Sequence, residues 1–98
     1  MPISEPLYRF TPALVQGAPG NGGLFALWQD GDLIYVGRAA SIKDCLLDHL
    51  QRRICPCTAA ATHYSWELSL HPAMREAELL EHFRRRFGRL PRCNEEAA

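Results

Sequence analysis

The sequence predicts an α+β domain: a small three-stranded, mostly antiparallel sheet flanked by helices. Three observations predict it. Two apolar runs, 24–29 and 33–36, meet around Asp30-Gly31, a strong short-range hairpin signal. Residues 62–70 alternate, with Tyr64, Trp66 and Leu68 on one side, as a half-buried strand does. Two further segments, 42–50 and 74–83, repeat apolar residues at helical spacing.

Each element has a local reason. Residues 1–22 hold four prolines and three of the seven glycines, so they read as a flexible N-terminal approach. Within it Leu7-Tyr8-Arg9-Phe10 is a candidate short edge strand. The hairpin follows, and Ser41 then supplies an N-cap. Ile42, Cys45, Leu46, His49 and Leu50 share one face of a first helix that runs to about Arg52. Residues 53–61 form a loop around Cys55-Pro56-Cys57, and 62–70 return as the third strand. Pro72 suits a helix start, Met74, Ala77, Leu79, Leu80 and Phe83 make its stripe, and Gly88 ends it. Residues 90–94 read as an extended ending and 95–98 as a frayed tail, which leaves 23–94 as the one domain.

The chain has 98 residues and an apolar fraction of 47%, enough for a single core. No apolar run approaches the ~18 residues of a membrane span. The N-terminus lacks a basic and then apolar leader, so a cytoplasmic location is the expectation. Eleven basic residues balance eleven acidic ones, which gives no global attraction to a polyanion. The distribution is uneven, because Arg84, Arg85, Arg86, Arg89 and Arg92 fall within nine positions. Such a run serves either as a solvated helix face or as a phosphate-binding edge. Cys45, Cys55, Cys57 and Cys93 have no framework spacing and are expected to be reduced. Cys55-Pro56-Cys57 is a poor match to the usual zinc spacing, so zinc is not expected.

Four residues carry candidate chemistry. Tyr35 ends a strand beside Gly37, where its phenol either packs with a wet tip or positions a water. Gly37 allows close approach, and Arg38 follows at once. Glu76 is expected in the first turn of the last predicted helix, where a carboxylate answers the helix dipole or ligates a hard cation such as Mg²⁺. Glu78 and Glu81 compete with it on the same helix, and Asn94 is by itself an ordinary turn residue.

Their order along the chain resembles the GIY-YIG nuclease superfamily, in particular its small stand-alone members, over about three-quarters of the sequence. Gly23-Leu24-Phe25 and Tyr35-Val36-Gly37-Arg38-Ala39 are similar to the two halves of the motif that names the family. The stretch 76–81 is similar to its glutamate helix, 90–94 to its proline-to-asparagine ending, and 61–67 to the third strand of the small members. The family's excision-repair subunits carry a second carboxylate five residues after the first, which favours Glu76 over Glu78 as the metal ligand. The resemblance implies one Mg²⁺ or Mn²⁺ ion held by Glu76, a water oriented by Tyr35, and a site fixed from the side by Asn94. His49, four residues past Cys45 on the same helical face, is implied as a neighbour of that site. Gly37, Arg38, Lys43, Arg84, Arg85, Arg89 and Arg92 are implied nucleic-acid contacts.

Two positions depart from the family. Phe25 lacks the tyrosine hydroxyl of the first motif, and Cys45 stands where the first helix carries its arginine. A thiol does not replace a guanidinium's fixed cationic fork, and Arg38 is the replacement at hand. The expected function is therefore a DNA endonuclease, weakened by Cys45, acting on branched, damaged or single-stranded DNA as in DNA repair. The alternative is a catalytically inactive domain of the same fold that binds nucleic acid or a protein. No membrane partner is expected, and the oligomeric state is left open.

Overall fold

The computed structural model describes residues 7–52 and 56–97. In chain order these form β1 (Tyr8–Arg9), α1 (Pro12–Val15), β2 (Gly23–Gln29), β3 (Asp32–Ala39) and α2 (Ile42–Arg52). A 3₁₀ turn (Pro56–Ala60), β4 (His63–Leu68), α3 (Pro72–Phe87) and α4 (Arg92–Ala97) complete the fold. The sheet has four strands in the order β1-β4-β2-β3, all antiparallel.

β2 is the central strand, and its residues face two different layers. Phe25 and Leu27 pack towards α2 with Ile42, Leu46 and Tyr64. Leu24 and Ala26 pack with Val36 of β3 and Leu79 of α3 on the other face. A strand covered on both sides is apolar throughout, which is why 23–28 reads as a run rather than an alternation. Gly23 is required by a close approach, since a Cβ there would collide with the Glu67 carbonyl oxygen of β4.

The hairpin turns at Asp30, whose φ of 57° is a left-handed conformation that aspartate tolerates. Thr62 braces this turn: its hydroxyl accepts the Asp30 N–H at 2.7 Å. Leu27 pairs with Tyr35 but Trp28 pairs with Leu33, so Ile34 is an extra residue in β3. This bulge resets the alternation. Beyond it Tyr35, Gly37 and Ala39 turn to the α2 layer, while Val36 and Arg38 turn to the α3 layer.

Several expectations need correction. The sheet has four strands, because β1 pairs with β4 through Tyr8↔Tyr64. The segment expected as a flexible approach is built into the domain from residue 7. Val15 is 0% exposed, and the Tyr64 hydroxyl donates to the Leu14 carbonyl at 2.6 Å. The ending is helical rather than extended, with the Pro91 carbonyl accepting from the N–H groups of Asn94 and Glu95. Glu95 lies within α4, not in a frayed tail. α3 is not the last helix, and Glu76 lies beyond its first turn. Its buried residues are Leu79 and Phe83, whereas Met74 and Ala77 are exposed. Gly88 ends α3 as expected, with φ 75° and its N–H donating to the Arg84 carbonyl. Among the described residues no helix is long and apolar enough to cross a membrane.

The cysteines differ as well. Cys57 and Cys93 form a disulfide, with Cα atoms 5.5 Å apart and a sequence separation of 36. It ties the 3₁₀ turn to α4. Cys45 is a free thiol, and Cys55 lies outside the described residues. Closing a loop of this length stabilises a fold by about 3–4 kcal/mol in the chain-entropy account. Reduction by dithiothreitol, or Cys93→Ser, is expected to lower the melting temperature clearly. An unchanged melting curve would contradict the pairing.

Candidate functional site

The candidate residues fall into groups on the two faces of β3. On the α3 face, Arg38 Nε lies 3.8 Å from Glu76 Oε1, with side-chain exposures of 58% and 24%. Register explains the meeting. Arg38 pairs with Leu24, and Leu24 pairs with Glu67, so the three form one row across β3, β2 and β4. The first turns of α3 cross that row. Arg75 donates from Nε to Glu67 Oε2 at 2.6 Å and from Nη2 to Oε1 at 3.2 Å, and its Nη1 lies 3.6 Å from Glu78. Its hydrogen bonds to Glu67, more than any other influence, hold the Arg75 pKa up. Two successive residues of α3 therefore clip to opposite strands, Arg75 to β4 and Glu76 to β3. Bidentate pairs of this kind fix geometry as well as charge.

On the α2 face, three rings meet in a triangle. The centroids of Phe25 and Tyr35 are 5.9 Å apart, and His49 lies 5.5 Å from each. Gly37 sits beneath them: a Cβ there would be 2.8 Å from Phe25 Cζ and 2.9 Å from Tyr35 Cε2. The space that glycine keeps open is filled by the protein's own rings, not left for a ligand. His49 Nδ1 shares a hydrogen bond of 3.2 Å with the buried Thr58 hydroxyl, from the turn that the disulfide holds. Burial pushes the His49 pKa down, and Asp48 pulls it back only in part.

Cys45 packs half-buried against the same core cluster. Burial raises its thiol pKa, and the carboxylates of Asp48 and Asp44 raise it further. The thiol is neutral at pH 7 and stands beside two negative charges. Lys43 opens α2 half-buried, its N–H donating to the Pro19 carbonyl at 3.0 Å.

Asn94 joins the end of the chain to β3. Its Oδ1 accepts the Val36 N–H at 2.8 Å and its Nδ2 donates to the Val36 carbonyl at 2.9 Å. One side chain thus occupies both pairing groups of an edge-strand residue, as a neighbouring strand would. Val36 stands between Tyr35 and Gly37, so this clasp fixes the strand where the two faces diverge.

The arginine run divides. Arg84 and Arg85 both bind Glu81, whereas Arg86, Arg89 and Arg92 have no ion pair among the described residues. Sequence reasoning did not single out Arg75 or Thr58, and it named Arg86 only as a member of the arginine run. Arg75 had a weak signal in its helical spacing to Glu78; Thr58 had none. Among the described residues no group of three or more histidine, cysteine or acidic side chains gathers as a metal cage. Glu76 alone suits a cation that keeps most of its waters, since Mg²⁺ takes as few as one protein carboxylate.

The lowered pKa of His49 has a definite sign in stability. The imidazole binds its proton less readily folded than unfolded, so stability is full above the ordinary value near ~6.5 and falls as pH drops through it. NMR titration is expected to place His49 below ~6.5. A value at or above that would contradict its packing between Tyr35 and Thr58.

No family model matches the sequence, and no curated protein does. Among solved structures it is similar to crystal structures of the GIY-YIG N-terminal endonuclease domain of UvrC from Thermotoga maritima. One, a point mutant bound to the catalytic divalent cation, aligns with 74% of this chain and 87% of its own, with TM-score 0.63 and 20% identity. Another, bound to magnesium as its catalytic cation, aligns with 76% and 94%, with TM-score 0.61 and 18% identity. The α+β sheet, the flanking helices and this likeness lead to one conclusion: the chain has the GIY-YIG fold.

Proposed function

We propose that the chain is a GIY-YIG-type endonuclease domain that hydrolyses DNA phosphodiesters with one divalent cation, at a rate limited by the loss of the helix arginine at Cys45. The observation that carries this reading is the pairing of Arg38 with Glu76. A carboxylate able to hold a hydrated Mg²⁺ or Mn²⁺ and an exposed guanidinium able to hold a phosphate share one rim. The UvrC domain binds its catalytic divalent cation, which supports a metal of this class here.

The chain's own residues divide the work. Glu76 would hold the cation, on a turn of α3 that the bond from Arg75 to Glu67 ties to β4. When bound there, a divalent cation supplies Lewis-acid stabilisation to the phosphate. Arg38 lets go of Glu76 and turns to the non-bridging oxygens. Tyr35 leaves β3 three residues earlier and on the other face. Because β3 is the edge strand, a nucleic-acid strand that passes this edge beside the Asn94 clasp meets both. The Tyr35 phenol orients the attacking water, its ring set by Phe25 and His49. Asn94 keeps Val36 from moving between them. Branched, damaged or single-stranded DNA is the substrate class.

A second reading rests on a specific observation. The place of the family's arginine holds a neutral thiol with Asp44 and Asp48 beside it, a local field that repels phosphate. That favours a domain that binds nucleic acid without turnover. Losing one preorganised cationic donor costs about 10²–10³ in rate.

Nicking of supercoiled plasmid with Mn²⁺ separates the two readings. Slow nicking by the wild type is expected, lost in Glu76→Ala and faster in Cys45→Arg. Equal nicking by wild type and Glu76→Ala would discard the site. Nicking by Cys45→Arg alone would establish the binding domain.

A further inference from the structure

A cavity of about 720 Å³ opens between the C-terminal half of α3, the first residues of β3 and α4. It lies at the other end of α3 from the Arg38–Glu76 pair. α3 runs antiparallel to β3, because Glu76 meets Arg38 near the end of that strand while Phe83 and Phe87 line one cavity with Leu33 near its start. Glu76, Phe83 and Phe87 are spaced seven and eleven positions apart, which returns them to one stripe of the helix. The distance along α3 from Glu76 to Phe87 is about 16 Å at the helical rise.

Of the aliphatic residues that line this cavity only Leu33 is half-buried rather than buried. Ile34, Val36 and Leu79 line it but are spent in the core. What it offers is the Phe87 ring, 55% exposed, and the guanidinium groups of Arg86, Arg89 and Arg92. Arg86 lies 5.6 Å from the Phe87 centroid and Arg89 lies 5.6 Å from that of Phe83. Arg92 is positioned by a hydrogen bond to Gln29, and Arg89 by one to the Leu90 carbonyl. Asp32 and Glu95 also line the cavity, so three cations face two carboxylates. Glu95 is in part occupied with the Leu90 N–H. None of the three arginines has an ion pair among the described residues, in contrast to Arg84 and Arg85.

We infer that this cavity is a subsite for an unpaired nucleotide, with its base stacked on Phe87 and its phosphates on Arg86, Arg89 and Arg92. An exposed ring among unneutralised arginines is the combination that holds single strands, since every base has a face to stack and every link carries a charge. An acidic peptide would satisfy the arginines, but its apolar anchors would find most of the aliphatic floor already buried. The subsite deepens the proposed function and rests on its nucleic-acid reading. It places an unpaired stretch several nucleotides from the bond held at Glu76, so junctions and overhangs are preferred to intact duplex.

The test measures binding of a fluorescent twelve-nucleotide oligothymidylate and of a blunt duplex at low and moderate salt. Glu76→Ala serves as the parent protein, so that binding is read without turnover. Phe87→Ala is expected to weaken oligothymidylate binding on the order of tenfold or more and duplex binding far less. Arg86→Ala is expected to lower the salt slope for the oligonucleotide by about 0.7. Phe87→Leu keeps an apolar side chain and guards against a folding effect; it should weaken binding in the same direction. Oligothymidylate binding unchanged in all three variants would overturn the subsite and leave the nucleic-acid reading standing. Absence of binding to either nucleic acid at low salt would overturn both. Binding of a peptide of alternating glutamate and leucine, without binding of the oligonucleotide, would assign the cavity to an acidic partner and overturn the proposal.

Discussion

Everything in this domain depends on β2 being covered on both faces. It pairs with β4 on one side and β3 on the other, so it sends Phe25 and Leu27 into one layer and Leu24 and Ala26 into the other. A shift of one residue would exchange those sets and put Phe25 against α3. The Ile34 bulge then decides what β3 presents. Without the extra residue, Tyr35 and Arg38 would each face the opposite layer. Tyr35 and Arg38, three residues apart, face opposite layers by alternation alone, and the insertion decides which layer each one faces.

The two groups differ in what holds them. The aromatic triangle is fixed by packing and by Thr58, whose turn is tied through Cys57–Cys93 to α4. The charged row is fixed by two ion pairs that reach from neighbouring residues of α3 to different strands. Asn94 lies next to Cys93 and clasps Val36, so one short helix braces both. Charge also divides between the groups. The α2 face carries a neutral thiol near two carboxylates, and the α3 face carries the positive charge of Arg38. The proposed chemistry follows that division.

Much of this was legible in the sequence because it is local. Asp30-Gly31 marked the hairpin, Ser41 the start of α2, and Gly88 the end of α3. The alternation of Tyr64 and Trp66 marked β4. What was missed depends on contacts between distant segments. The edge strand at 7–10 was marked, but not its place in the sheet, which rests on Tyr8 pairing with Tyr64 of β4. The disulfide joins residues with no framework spacing. Met74 and Ala77 fit a helical stripe by count, but the sheet turns α3 so that Leu79 and Phe83 are the buried pair. Gly37 read as room for a ligand, and only the side chains show that Phe25 and Tyr35 fill it. The order of Tyr35, Glu76 and Asn94 was visible, while which layer Tyr35 and Arg38 each face needed the bulge.

The central claim is that Glu76, beside Arg38, is where a divalent cation binds. Titration of ¹⁵N-labelled protein with Mn²⁺ tests it most directly, because paramagnetic broadening falls off steeply from the ion. Broadening centred on the amides of Glu76 and Arg38, and abolished by Glu76→Ala, is the predicted result. Broadening centred on Asp44 and Asp48, or persisting unchanged in Glu76→Ala, would contradict it.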